Sequence, residues 1–256
     1  MSFLLQLLAH PDTREMSLDD PKTTEIRSRI IREKKFLRNL YEEWYGRLID
    51  NLPVCDGMVL EVGSGGGFLK KQRADALVSE VFYRFGIDVV LDAMHLPFAS
   101  ESLSAILMVD VFHHIPKPTL FIEEACRCLR KGGRCLCIEP WNTPWGQWVY
   151  RHLHHEPFHP DGGWSIESDG PLSGANGALP WIMLERDRSR FEKQFPRLRI
   201  MEITPMMPWS YLFSGGVSMR SFMPGWSYRW IRTLERLVAG IESLNGMFAF
   251  IILERN

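Results

Sequence analysis

Apolar positions in the first fifty residues recur at helical spacing. Ile26, Ile30, Ile31, Phe36, Leu37, Leu40, Tyr41, Trp44, Tyr45 and Leu48 fall mostly three or four apart, with Arg27, Arg29, Arg32, Lys34, Lys35 and Arg38 between them. Asp20-Pro21 opens this helical section, Thr23 or Thr24 is placed to cap it, and Leu52-Pro53 ends it. The period then shortens. Residues 59–62, 76–81, 89–92, 104–111 and 134–139 are short apolar runs that read as strands. A helix is predicted over 117–129, and Lys131-Gly132-Gly133 turns out of it. Strands buried on both faces, with helices between them, predict a parallel α/β sheet.

After Glu139 the pattern breaks. Residues 140–180 are rich in Pro, Gly, His and Trp and show no clean period, which predicts a long loop-rich insertion. A helix over 184–195 and a sixth strand over 199–204 follow. Residues 205–226 read as loop, with turns at Gly215-Gly216 and Pro224-Gly225. An amphipathic helix over 228–244 and a last strand over 246–253 complete the chain. The predicted organisation is an N-terminal helical cap (1–54) on one sheet domain (55–256), with insertions at about 140–183 and 205–245. No internal repeat is visible.

Composition narrows the partners. A chain of 256 residues fits one large domain with an annex. Thirty basic and thirty-one acidic side chains give a net charge of -1, so no broad basic field exists for a nucleic-acid backbone. The basic run of the first helical section reads as a solvated face or a contact for an anionic group. Five Cys, an odd and sparse set, predict no disulfide scaffold and a reducing, cytoplasmic location. The apolar run from Phe3 to Leu8 is too short for a signal core, and no stretch approaches a membrane span. Peripheral membrane contact stays open, because Arg229, Arg232 and Arg236 accompany Trp226 and Trp230. Eight of the nine Trp and seven of the twelve Met lie at or after Trp141. This predicts a lid of soft, amphipathic side chains, most of them core and a subset walling an apolar site.

Candidate chemistry starts at a glycine loop. Glu61-x-Gly63-x-Gly65-x-Gly67 directly follows the first strand, where glycines let the backbone turn tightly and approach a ligand. Phe68 stands where a dinucleotide fingerprint needs its third glycine, and the Gly-Lys-Ser/Thr of a phosphate loop is absent. Glu80 ends the second strand, where a carboxylate can accept both hydroxyls of a ribose. Asp92 follows the third strand and precedes Ala93, where it can accept an adenine amine while a neighbouring backbone N–H faces a ring nitrogen; a capping role is the alternative. His155-Glu156-x-x-His159 matches a zinc-protease pattern in letters, but Pro157 breaks the helix that pattern requires, and no metal is expected. His154, His155 or His159 is expected to line an acceptor pocket or brace its loop.

The chain resembles the class I S-adenosylmethionine-dependent methyltransferases, of the small-molecule, type 11 kind. The resemblance rests on four motifs in order between about residues 55 and 140: Val59 to Gly67, Asp92 to Phe98, Ser102 to Ile115, and Leu129 to Arg134. It implies a Rossmann-like seven-stranded sheet of order 3-2-1-4-5-7-6 with strand 7 antiparallel and helices on both faces. It also implies S-adenosyl-L-methionine as cofactor, S-adenosyl-L-homocysteine as product, and a cofactor-binding set. Gly63, Ser64, Gly65 and Gly67 would pass beneath the methionine part, and Glu61 would orient the loop and approach the amino group. Glu80 would hold the ribose, Asp92 and Ala93 the adenine, and Asp110 and Val111 the amino-acid moiety. Asp88 competes with Glu80. Glu80 is favoured because a third strand ending at Asp92 puts Asp88 near its start.

Methyl transfer needs alignment and, for a hydroxyl acceptor, a base. His113, His114 and Glu139 are the candidate catalytic residues, at the carboxyl ends of strands four and five. The expected activity is methylation, at oxygen, of a small molecule or lipid with a nonpolar or ring component. Two other readings are a non-enzymatic cofactor-binding or scaffold protein of the same fold, and an RNA or protein methyltransferase. A nicotinamide oxidoreductase is disfavoured by Phe68 and Asp92. Oligomeric state is not legible.

Overall fold

Continuous apolar runs can be buried only at the centre of a sheet, and the longest of them lies there. In the computed structural model, β4 (Leu103–Val109) is buried at all seven residues. It pairs in parallel with β1 (Met58–Val62) on one side and β5 (Leu129–Pro140) on the other. β2 (Leu77–Glu80) and β3 (Val89–Val90) extend the sheet beyond β1. β7 (Phe248–Arg255) runs antiparallel between β5 and β6 (Leu198–Met206). The order is β3-β2-β1-β4-β5-β7-β6, as the resemblance implied. The order reverses between β1 and β4, so their carboxyl ends open a crevice there. The structure describes residues 10–13, 20–154, 156–167, 174–238 and 240–256. The apolar run from Phe3 to Leu8 lies outside them.

The N-terminal section is two helices rather than one. α1 (Pro21–Glu33) and α2 (Lys35–Asp50) break at Lys34, which is extended at ψ 96°. The Lys34 ammonium is drawn aside to the carbonyls of Gly216 (2.5 Å) and Met219 (2.8 Å). Asp20, not Thr23 or Thr24, caps α1 by accepting the Lys22 N–H at 2.9 Å. α2 buries Phe36, Leu37, Leu40, Tyr41, Trp44, Tyr45 and Leu48, the expected apolar face. Short helix α3 (Phe68–Gln72) follows the glycine loop, and α4 (Pro118–Cys128) precedes β5.

β5 starts at Leu129, earlier than expected. Leu103 pairs with Leu129 and Ala105 with Arg134, so the Lys-Gly-Gly turn is absorbed as a register shift within the strand. Gly132 has φ +76°, and a Cβ on Gly133 would meet the carbonyl oxygen of Arg130 at 2.8 Å.

The second half departs further from its expected outline. A ten-residue helix, α5 (Pro144–Leu153), occupies the region expected to be loop. Thr143 caps it by accepting the Gly146 N–H at 2.9 Å, and Pro144 sits in its first turn, where the missing N–H costs nothing. The expected helix over 184–195 is a π turn (Ile182–Arg186) followed by α6 (Arg188–Gln194). The amphipathic helix α7 (Tyr228–Leu237) ends seven residues early, and a separate turn, Glu242–Asn245, follows. Trp141 and Trp164 are buried, while Trp148, Trp226 and Trp230 are exposed. Cys126, Cys128, Cys135 and Cys137 are buried, and all five Cys are free thiols. Among the described residues no helix is long and apolar enough to cross a membrane.

Candidate active site

The carboxyl ends of β1, β2 and β4 form the floor of a cavity of about 330 Å³. Gly63 and Gly65, Glu80, Asp92 and Ala93, and Asp110 and Val111 line it. The roof is the N-terminal cap: Thr24, Arg27, Ser28 and Ile31 from α1, and Tyr41 and Tyr45 from α2.

The glycines are required by backbone shape. Gly63, Gly65 and Gly67 have φ of +71°, +47° and +70°, and a Cβ on Gly63 would stand 2.6 Å from a Val111 methyl. Glu80 is buried and accepts the Gly65 N–H at 2.8 Å. Burial raises its carboxyl above the usual range. Asp88 lies outside the cavity wall. It accepts the Val78 N–H at 2.9 Å and pairs with Lys70, so it braces the start of β2. Asp92 accepts the Met94 N–H at 2.8 Å and stands 3.2 Å from His95, so it shapes its own turn while facing the cavity.

Arg84 was not singled out by the sequence. Its guanidinium donates to Ser64 Oγ (2.8 Å) and the Gly65 carbonyl (2.7 Å), and stands 3.7 Å from Glu80. The only sequence signal was its place four residues after Glu80.

Glu61 is fully buried behind the loop. Its Oε1 accepts a short hydrogen bond from the Tyr45 hydroxyl, and its Oε2 has no partner. Burial pushes its carboxyl up to about 8, against the Tyr45 hydrogen bond. An unpartnered buried carboxylate oxygen beside the glycine loop suits a cationic amino group. This fits the amino-acid end of S-adenosylmethionine.

Asp110 has φ +61°, a conformation that Asp tolerates better than most residues. The turn puts its side chain at the cavity. Burial raises its carboxyl to about 7, opposed by the charge of His113. The next residues form a 3-10 turn, Phe112–His114, held from behind by Glu139. Glu139 Oε1 accepts the N–H groups of Val111 and Phe112, both at 2.8 Å, and Oε2 stands 2.7 Å from His113 Nδ1.

The three candidate catalytic residues therefore sit differently. Glu139 and His113 are wholly buried and outside the cavity wall, while His114 lines the cavity. His113 lies between Glu139 and Glu156. Burial opposes its protonation, but hydrogen bonds to both carboxylates hold its pKa well above the usual value. His114 is the opposite case: burial, then the charge of His113, lower it to about 4. Glu156 came from the disfavoured zinc-protease pattern. Burial would raise its carboxyl, but His114 and His113 outweigh that and hold it well below the usual range.

The other insertion histidines are elsewhere. His154 Nδ1 accepts the Glu156 N–H at 3.2 Å and braces the loop. His159 is exposed, with its N–H donated to Asn176, and His155 lies outside the described residues. The Trp-rich insertions do not wall the cavity as expected. Among the described residues their one contribution to it is Val217. Most of their aromatic residues are core instead. Tyr211 packs on Trp44 and Phe248, and the Trp145 indole N–H donates to the Pro208 carbonyl at 2.7 Å.

Comparison with known proteins agrees with this architecture. Residues 69–137 match the family model of the methyltransferase domain. The fold aligns with geranyl diphosphate C-methyltransferase from Streptomyces coelicolor A3(2), solved with Mg2+, geranyl diphosphate and S-adenosyl-L-homocysteine. The identity is 16%, over 94% of this chain and 87% of that one, with a TM-score of 0.50. A geranyl diphosphate methyltransferase in complex with S-adenosylmethionine aligns at 19% identity, over 93% and 94% of the two chains, with a TM-score of 0.50. A chain from the complex of the Haloferax volcanii Trm112 methyltransferase activator aligns at 13% identity, over 93% and 97%, with a TM-score of 0.53. At these identities the likeness is one of fold. A search of curated protein sequences gives no match. The matching segment lies within a seven-stranded sheet whose strand order is the one that the resemblance to class I S-adenosylmethionine-dependent methyltransferases implied.

Proposed function

We propose that the protein transfers the methyl group of S-adenosylmethionine to an oxygen of a small molecule or lipid with a nonpolar part. One observation carries this reading. A single cavity is lined both by the glycine loop, Glu80 and Asp92 and by His114, Arg27 and the apolar side chains Ile31, Tyr41, Ile115 and Val217. The cofactor supplies an activated methyl group. Glu61, the glycine loop, Glu80 and Asp92 hold and orient it, with Arg84 stiffening the loop from behind. His114 and Arg27 hold the polar end of the acceptor, and the apolar side chains exclude water from the rest. Labelled S-adenosylmethionine, offered with prenyl, aromatic polyketide and small polar acceptors, tests the reading. Label should appear in the lipophilic acceptors. Turnover of only small polar acceptors, RNA or protein overturns it, and cofactor binding without any turnover favours the non-enzymatic alternative.

Peripheral membrane contact belongs to the same reading. Trp226, Trp230, Leu234, Leu237, Ile241 and Leu244 are exposed and recur at intervals of three and four. Arg229 and Arg236 are exposed beside them, whereas Arg232 is committed to Glu43 and Glu235. Apolar side chains flanked by exposed cations fit an anionic bilayer, and the free thiols fit a reducing compartment.

A further inference from the structure

We propose that His113, His114 and Glu156 form a binding site for a divalent transition-metal ion of the zinc type, set into the wall of the acceptor cavity. The donor atoms converge. One donor atom from each residue lies within 4.8 Å of the others. His113 Nε2 is 3.3 Å from Glu156 Oε2, and His114 Nε2 is 3.7 Å from Glu156 Oε1. Neighbouring donors around a tetrahedral ion with bonds of about 2.0–2.1 Å are roughly 3.3 Å apart. These two distances end on different oxygens of Glu156, so an ion that takes one atom from each residue draws the set in from within 4.8 Å, a closure of up to about 1.5 Å.

The far side of each ring is already arranged as metal-bound histidines require. His113 Nδ1 meets Glu139 Oε2 at 2.7 Å, and His114 Nδ1 meets the Gly174 carbonyl at 3.0 Å. A ligating histidine donates its second N–H to a carboxylate or backbone carbonyl, which fixes the ring and aims the other nitrogen. Both partner types are present here, one on each ring.

Charge points the same way. The carboxylates of Glu139, Glu156 and Asp110 surround His113, with Asp110 Oδ1 3.9 Å from its Nε2. Arg27 reaches only to 4.0 Å from Glu156. Buried carboxylates in this density need positive charge. A proton on His113 Nε2 supplies one unit. A divalent ion supplies two, takes the place of that proton and releases it to solvent. Two imidazoles and one carboxylate suit zinc, cobalt or ferrous iron; magnesium prefers oxygen donors throughout. Three protein ligands leave a coordination position for an oxygen of a bound molecule, and His114 places it at the cavity. The site is not the zinc-protease pattern of the sequence, since His159 is exposed and is not among the converging donors.

The test uses the full chain, stripped with a chelator and titrated with Co2+ and then Zn2+. One equivalent of Co2+ should bind, give the visible absorption of a four-coordinate ion, and be displaced by Zn2+. Glu156→Gln and His114→Gln should each weaken binding at least roughly tenfold, and His159→Ala should leave it unchanged. Circular dichroism of each variant separates lost binding from lost fold. Absence of a stoichiometric site in the wild type overturns the proposal, as does equal binding by folded Glu156→Gln. Neither readout needs cofactor or acceptor, so the result is independent of the methyl-transfer reading.

Discussion

The first 115 residues and the last 115 make opposite impressions in sequence and in space. The first are ordinary in composition, yet they provide nearly the whole cavity, both floor and roof. The second hold most of the Trp and Met, yet among the described residues they give the cavity only Val217. Their large side chains pack α5, β6 and β7 around α2, or point to solvent. Abundance of aromatic residues thus marks where the molecule needs volume filled, not where it binds. The cavity is built by backbone conformations and single polar groups, which leave little trace in composition.

The comparison is tested most severely in the first half. Gly63→Ala should weaken cofactor binding roughly tenfold to a hundredfold by calorimetry, because its Cβ would collide with Val111 at 2.6 Å in a left-handed conformation. Unchanged affinity would mean that the loop does not approach the cofactor. The next test sets the halves against each other. Arg27→Ala should raise KM for the acceptor about tenfold while leaving cofactor affinity alone. Trp164→Ala should do the reverse: stability should fall by about 3 kcal/mol, and KM should hold. Trp164 is buried, donates to Asp187 at 2.8 Å and carries Arg190 on its ring face. A KM effect at Trp164 and none at Arg27 would invert the comparison.

A smaller effect concerns Glu61. Its carboxyl is raised in the fold, so the folded protein binds more protons than the unfolded chain between the usual carboxylate range and about pH 8. Stability from this group is fully present below that range and is lost as pH rises to about 8. Denaturant titrations should therefore show Glu61→Gln gaining on the wild type as pH rises from 5 to 8. A difference independent of pH would show that Glu61 is already ionised. The smallest expected effect is on fold stability at the exposed stripe. Trp226→Ala with Trp230→Ala should change stability by less than about 1 kcal/mol, yet lower co-sedimentation with anionic vesicles at low salt. Equal sedimentation with neutral vesicles would exclude the arginines from the contact.

The strands were legible because doubly buried runs are unambiguous where Gly and Pro punctuate them, as at 59–62 and 104–111. The helix at Pro144 was not, because a proline at a helix start reads as a breaker until its cap, Thr143, is recognised. The break at Lys34 was invisible for a different reason: its cause is a pair of carbonyls more than 180 residues away. The site divides the same way. Gly63, Glu80, Asp92 and Asp110 follow strand ends, and strand ends are local. Arg84, Tyr45 and Glu156 join the site through tertiary folding alone. His113, His114 and Glu139 were placed on the correct edge, but their division into one residue facing the cavity and two behind it depends on burial that no pattern encodes.

Lys34 has a mechanical consequence. It pins one end of α1 to the Gly216 and Met219 carbonyls, on either side of Val217 in the cavity wall. α1 is thus a lever of thirteen residues, about 20 Å long, with its fulcrum at Lys34. Rotation about that point displaces Thr24 far more than Ile31.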